Sequence, residues 1–438
     1  MIYIAIFIPL VFFLANLIIE KRLISPESVF NLVWLLALFL IAINPFGLNA
    51  ISNTTLTLLT IGNVVFNVSS YFFSLFFTNK SKVIKDYSNK TKYRTNLLFM
   101  FILILLILML PPFLKSLAVL ISGGFAAVRT FYVSGANGFD NAVIRLLYVH
   151  VLIFPAAFVA SVLAAHIWIR GKLGFIQFMF SVLLIIMLVV ITGARLYLLS
   201  YMIFFGISFF MNFELDKNSI KNRGFRRVLF VIVLTFITIL YYVTKDRGIS
   251  GGNNIFSILK TFYVYFVGGI SVFNNAINNQ LAYGLGDYTY GATFVAGILQ
   301  IIAYPLSKIS MLSNWTFYPT DAASEYLVRF VSIGSNTEMN AFATMYYFFM
   351  RDFGVFGIVL YSTILAMLCS FVKHMLSKRN NLVYNQIYIY VIGLIAFSTI
   401  WWDLYRMESW SILILLILAS NLIEKKERSL TIRKQAKC

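Results

Sequence analysis

Four arginines stand beside long apolar runs in a pattern that suits anion binding: Arg129, Arg195, Arg247 and Arg329. Arg195 is the sharpest of them. It lies in Thr192-Gly193-Ala194-Arg195, between two apolar runs that are together too long for one membrane crossing, so the motif reads as a tight reversal at a membrane boundary. A guanidinium is always charged, and placing it there is costly unless it meets an anion. Snorkelling to headgroups is the plain alternative, although lysine would serve that purpose as well. Arg247 follows an apolar run in Lys245-Asp246-Arg247-Gly248. Arg329 closes Glu325-Tyr326-Leu327-Val328-Arg329, where an i,i+4 ion pair with Glu325 is the plain alternative. Guanidiniums gathered on one membrane face would form bidentate forks to the oxygens of a lipid diphosphate. They would also neutralise that group as its bond to carbon breaks.

Transfer to a hydroxyl gains from a positioned base. Glu338, in the polar turn Gly334-Ser335-Asn336-Thr337-Glu338-Met339-Asn340, is the first candidate, though a glutamate at a helix start also complements the dipole. Asp321 is the second and Asp352 the third. His150 sits about two turns inside an apolar run, where a core histidine is the expected reading. No P-loop, Gly-x-Gly-x-x-Gly or Asp-x-Asp motif is present, and the two cysteines, Cys369 and Cys438, suggest neither a metal site nor a disulfide framework. Neither metal nor cofactor is expected.

The elements that must hold these residues are membrane helices. Hydrophobic residues make up 60% of the chain and charged residues 12%, with a mean hydropathy of +0.86, too apolar for a soluble core. The chain therefore reads as an all-α, polytopic membrane protein. Spans are expected at about 2–19, 29–47, 55–78, 97–117, 143–166, 174–192, 196–213, 228–244, 353–372, 383–400 and 411–423. The first lacks a basic n-region and a small-residue cleavage site, so it reads as a retained helix. The net charge of +19 resides mostly in connections that abut spans, such as Lys80–Arg94, Lys217–Arg227 and the C-terminus. That is the positive-inside pattern and points away from nucleic acid. Eleven crossings with the basic connections inside put the N-terminus outside and the C-terminus in the cytoplasm.

Two outer segments are long, 118–142 and 245–351. The second is a loop of about a hundred residues inserted before the last three spans. Within it, 289–306 is apolar but carries Gly291, Gly297 and Pro305, so it reads as a re-entrant or interfacial helix, or as a crossing paired with 340–350. Outer aromatics such as Trp315, Tyr318, Trp401 and Trp402 could stack on sugar rings. Intramembrane charges look few, and no internal repeat is visible, which counts against inverted-repeat transporters.

The layout, together with Thr192-Gly193-Ala194-Arg195, YVYFVGGISVFN at 263–274 and NAFATMYYFFMRDFGVFG at 340–357, resembles the bacterial oligosaccharide repeat-unit polymerases, the Wzy-type O-antigen and capsule polymerases. The resemblance implies a GT-C-like architecture in the bacterial inner membrane. It implies undecaprenyl-diphosphate-linked oligosaccharides as donor and acceptor, joined at the outer leaflet, with outer-face arginines corresponding to Arg195, Arg247 and Arg329 on the diphosphate. A chain-length regulator and a flippase would be the pathway partners. O-antigen ligases share the frame but typically add a histidine in the large loop, which this chain lacks. A lipid-linked oligosaccharide flippase would line a central cavity with charge. Glycosyltransferases with an acidic first outer loop are a further rival, and 48–54 contains no acidic residue.

Overall fold

The computed structural model describes residues 1–20, 22–77, 92–136, 139, 141–215, 238, 241, 255–306, 323–335, 337–339, 342–379 and 381–425. Its helices are α1 (Ile2–Glu20), α2 (Pro26–Ile43), α3 (Asn53–Phe77), α4 (Thr95–Val133), α5 (Ala142–Arg145), α6 (Ile153–Ile169), α7 (Phe175–Thr192), α8 (Leu196–Leu215), α9 (Ile255–Asn278), α10 (Ala296–Leu306), α11 (Met345–Arg379), α12 (Leu382–Ala396) and α13 (Met407–Ile423). A π-helical segment, Leu146–Val151, joins α5 to α6. Among the described residues there are also two small antiparallel pairs: β1 (Lys92–Tyr93) with β4 (Glu424–Lys425), and β2 (Val331–Gly334) with β3 (Thr337–Met339). The protein is an all-α, multi-pass membrane protein. Among the described residues seven helices are long and apolar enough to cross a bilayer, and α8, α12 and α13 contribute shorter apolar stretches.

Local chemistry sets the helix ends. Ser25 caps α2 by accepting the Ser28 N–H at 3.1 Å, and Pro26 occupies the first turn, where its missing donor costs nothing. Asn44 closes α2 in the left-handed conformation, so the helix stops short of the expected 47. The expected outer segment 118–142 is instead helical through Val133, with a sharp bend at Gly124 (φ 72°, ψ −175°), a backbone conformation that only glycine adopts cheaply. The span expected at 353–372 runs from 345 to 379 and bends at Phe353–Gly354. The span expected at 228–244 lies outside the described residues apart from Thr238 and Tyr241.

Helix α6 is the hub. All its residues but Ile153 are buried, packed by α4, α7, α8 and α13; a helix apolar on every face belongs in the interior. By contrast Phe7, Ile18, Leu75, Phe76 and Ile107 stay exposed, as side chains facing lipid should. A second unit, α1, α2, α3 and α11, is joined by polar contacts. Asn31 and Asn67 exchange reciprocal side-chain hydrogen bonds of 2.7 and 2.9 Å, and Tyr346 donates to Asn63 at 2.9 Å. Lys373 pairs with Glu20 and lies 3.8 Å from Glu27, which is 4% exposed and accepts from Ser70 at 2.8 Å. Glu20, Glu27 and Lys373 lie just beyond the expected spans 2–19, 29–47 and 353–372. They are packed between helix ends, and the count of internal charges rises accordingly.

The described parts of the 245–351 segment that precede α11 pack on one end of the bundle. Helix α9 lies across the C-terminal end of α2, the start of α3 and the chain after α12. Asn274 accepts from the Ser52 N–H at 2.8 Å and the Thr55 hydroxyl at 3.0 Å, while the Tyr263 hydroxyl reaches Asn44 at 3.4 Å. At Gly269 a β-carbon would stand 2.5 Å from the Thr399 carbonyl, so the close crossing requires glycine. Within 289–306 the described helix is α10, 11 residues or about 16 Å, half of a hydrocarbon layer. It rests on the start of α13, with Gly297 against the Arg406 backbone, so α10 as described does not cross.

Asp352, a candidate base, serves this packing. It is buried, and its carboxylate accepts the backbone N–H groups of Thr293 and Phe294, each at 2.9 Å, along with the Thr289 hydroxyl. All its oxygens are engaged in holding the turn before α10, which removes it from proton transfer. Asp352→Ala should lower stability by about 3 kcal/mol, since charged-group hydrogen bonds are lost and two buried N–H groups stay unsatisfied. Thermal unfolding in detergent checks this; an unchanged midpoint would mean that the turn holds itself.

Candidate functional site

The sharpest charged constellation gathers where α4, α5, α7, α8 and α13 meet the 401–410 connection. Asn141 begins it by accepting the Val143 N–H at 2.9 Å, which starts the helix carrying Arg145 and His150. The π-helical turns then place His150 against α13. Such extra-residue turns re-aim side chains and recur at functional sites. His150 Nδ1 lies 2.7 Å from Glu408 Oε1. A carboxylate only accepts, so Nδ1 carries the proton and Nε2 is left as the basic nitrogen. The His150 side chain is 26% exposed and Glu408 14%, so the imidazole is accessible while its partner is largely enclosed. His150 is therefore not the core histidine expected from its place in an apolar run.

Glu408 is shared. Arg406 Nη2 stands 3.6 Å from the same Oε1, and Arg406 Nη1 stands 3.5 Å from Asp403 Oδ1. Burial works against the Arg406 charge, but Glu408 and Asp403 more than offset it and hold its pKa above the ordinary arginine value. Burial likewise lifts the Asp403 carboxyl above its usual range, with Arg406 pulling the other way. A cavity of about 30 Å³, enough for one water, is lined here by Tyr197, Asp403, Arg406, Glu408 and Ser409.

Two predicted arginines converge on this place. Gly193 ends α7 with φ 58°, and a β-carbon there would lie 2.9 Å from the Arg129 backbone nitrogen. The bend at Gly124 thus lays the end of α4 against the reversal that carries Arg195. Arg129 Nη1 donates to the Thr192 carbonyl at 3.5 Å, and both Arg129 and Arg145 face the Tyr132 ring, at 5.5 and 5.7 Å. Tyr132 is within electrostatic reach of Glu408 and Arg406, as well as of Arg129 and Arg145. Arg195 donates to the Tyr265 hydroxyl at 2.9 Å and lies 4.8 Å from that ring. Tyr265 continues through Phe342 (5.2 Å) to Trp401 (5.1 Å), and Arg406 flanks Trp401 at 6.0 Å. One aromatic row thus has a guanidinium at either end.

Other expected residues fall elsewhere. Glu338 is exposed on β3 opposite Ser332, and among the described residues no contact joins it to the arginines. Arg329 is exposed, and Glu325 pairs with buried Arg351 at 3.5 Å rather than with Arg329. Arg247, Asp321, Trp315 and Tyr318 lie outside the described residues. Trp401 and Trp402 are buried in protein stacks, and the Trp402 indole donates to the Phe294 carbonyl at 2.8 Å, so neither ring is open to a sugar. Sequence reasoning passed over Asp403, Arg406 and Glu408. Three charges within six residues, between the last two expected spans and on the side with few basic connections, were the available signal.

No family model, curated protein or solved structure matches this chain.

Proposed function

We propose that the protein is a membrane glycosyltransferase joining undecaprenyl-diphosphate-linked oligosaccharide units, a polymerase of the Wzy type with a GT-C-like frame. The observation that carries the reading is the His150–Glu408 pair with Arg406, Arg129 and Arg145 around it and Arg195 at the far end of the aromatic row. Eleven crossings would place this end of the bundle outside, with the C-terminus in the cytoplasm. An acceptor hydroxyl attacks the anomeric carbon of the donor. The new C–O bond forms, the bond to the diphosphate oxygen breaks, and the hydroxyl proton passes to His150 Nε2. Glu408 orients the imidazole and stabilises its charged form, as a triad carboxylate does. The guanidiniums meet the charge that accumulates on the departing diphosphate. A chain-length regulator and a flippase remain the proposed pathway partners, and O-antigen or capsule the product.

In a bacterium lacking this protein, surface glycan should collapse from a ladder of lengths to single repeat units. Arg195→Ala at normal protein level should reproduce the collapse. Unchanged ladders would overturn the reading. The buried Glu20–Glu27–Lys373 group favours a second reading, transport of a lipid-linked oligosaccharide. Repeat units trapped on the cytoplasmic leaflet would select it.

A further inference from the structure

A groove of about 440 Å³ runs between α4, α6 and α13, within the usual range of ligand pockets, and every side chain lining it is apolar. Its walls include Leu97 and Leu108 of α4, Leu152 just before α6, Ala156 of α6, and Ala419 and Leu422 of α13. Leu97, Leu108, Leu152 and Leu422 are exposed, so the groove opens sideways to the lipid. Along α4 it extends from Leu97 to Leu108, about 16 Å.

Its upper rim touches the charged site. Leu152 comes two residues after His150. The Tyr148 hydroxyl donates to the Leu108 carbonyl and ties α4 to the π-helical turns just above the groove. Leu415, another wall residue, is two turns below Glu408 on α13, about 10 Å along the axis. An apolar slot that faces lipid and ends beneath clustered arginines matches one chemistry: a long hydrocarbon chain bearing an anionic head.

We infer that this groove seats the isoprenoid tail of a polyprenyl diphosphate, with its head at the His150–Glu408–Arg406 cluster. The inference rests on reading that cluster as a diphosphate site, and it adds the face of the bundle through which the lipid enters. One carrier lipid arrives between α4 and α13, so its diphosphate meets Arg129 and Arg406 from the membrane side.

The test uses the full chain purified in detergent, with two probes: a long-chain polyprenyl diphosphate and inorganic diphosphate. Ala419→Trp fills the groove and should weaken polyprenyl diphosphate binding at least tenfold while leaving inorganic diphosphate unchanged. Leu418→Trp narrows the same groove from a 54% exposed position and should act likewise if Ala419→Trp folds poorly. Leu36→Trp, on a lipid-facing position of α2 away from the groove, should change neither. If the groove variants leave lipid binding intact while Arg129→Ala weakens both probes, the groove assignment falls and the diphosphate site stands. If Arg129→Ala also changes nothing, both fall.

Discussion

His150→Ala should lower oligosaccharide transfer by about 10² to 10⁴-fold, the usual worth of a positioned acid–base group, while the protein accumulates normally. The fold has little reason to object. His150 is 26% exposed, and its one described hydrogen-bonding partner, Glu408, keeps Arg406 as a counter-ion when the imidazole is gone. The effect should fall on kcat rather than KM, because the proton moves only as the acceptor oxygen attacks. His150→Gln should not rescue: its amide fills similar space but cannot take the proton. Turnover of a lipid-diphosphate-linked donor by purified protein provides the readout. Activity within a few-fold of the parent would remove His150 from the chemistry and return the search for a base to Glu338 and Asp321.

Arg406→Ala should lower stability by about 3 kcal/mol, as much as the loss of Asp352 and the lower end of the cost of stripping one partner from a buried ion group. Arg406 stands between two carboxylates, and the three side chains are 21%, 19% and 14% exposed for Arg406, Asp403 and Glu408. Water reaches them slightly, hence the lower end. Its removal leaves two enclosed acids with only His150 to answer one of them. A second variant separates charge from shape: Arg406→Ala combined with Asp403→Asn should recover part of the loss, since one uncompensated charge is gone. Unfolding midpoints of the three proteins decide the matter. A double variant no better than Arg406→Ala would mean that Arg406 acts through packing against Trp401 rather than through charge.

The frame was legible because apolar length is a local property. Ten of the eleven expected spans overlap described helices, and the eleventh, 228–244, is outside the described residues but for Thr238 and Tyr241. The errors were at ends where burial comes from protein rather than lipid. Residues 345–351 are aromatic and polar, so the expected span began only at 353 and they fell in the outer segment, with 340–350 open as a crossing; all of them are buried and helical, continuous with that span. Likewise 118–133 looked like a connection, because a glycine that bends a helix and a glycine that ends one look alike in sequence. The site was legible by halves. Arg195 and Arg129 announced themselves through cost: a permanent charge at the edge of an apolar run needs a reason. The His150–Glu408 contact did not, since it joins residues 258 apart and depends on a π-helical offset that no spacing rule encodes. Glu338 stands apart from the arginines, exposed on β3, since a polar setting marks exposure as readily as it marks a site.

The pairing of Lys373 with Glu20 spans 353 residues of sequence. During synthesis α1 and α2 enter the membrane long before that lysine exists. For most of its biogenesis the growing chain holds two acids at one edge of the bundle whose intended ammonium has not yet been translated. The N-terminal helices therefore reach their final packing only after α11 is inserted. A chain truncated before α11 would carry an exposed acidic flaw, the kind of feature by which quality-control proteases tell an unfinished membrane protein from a finished one.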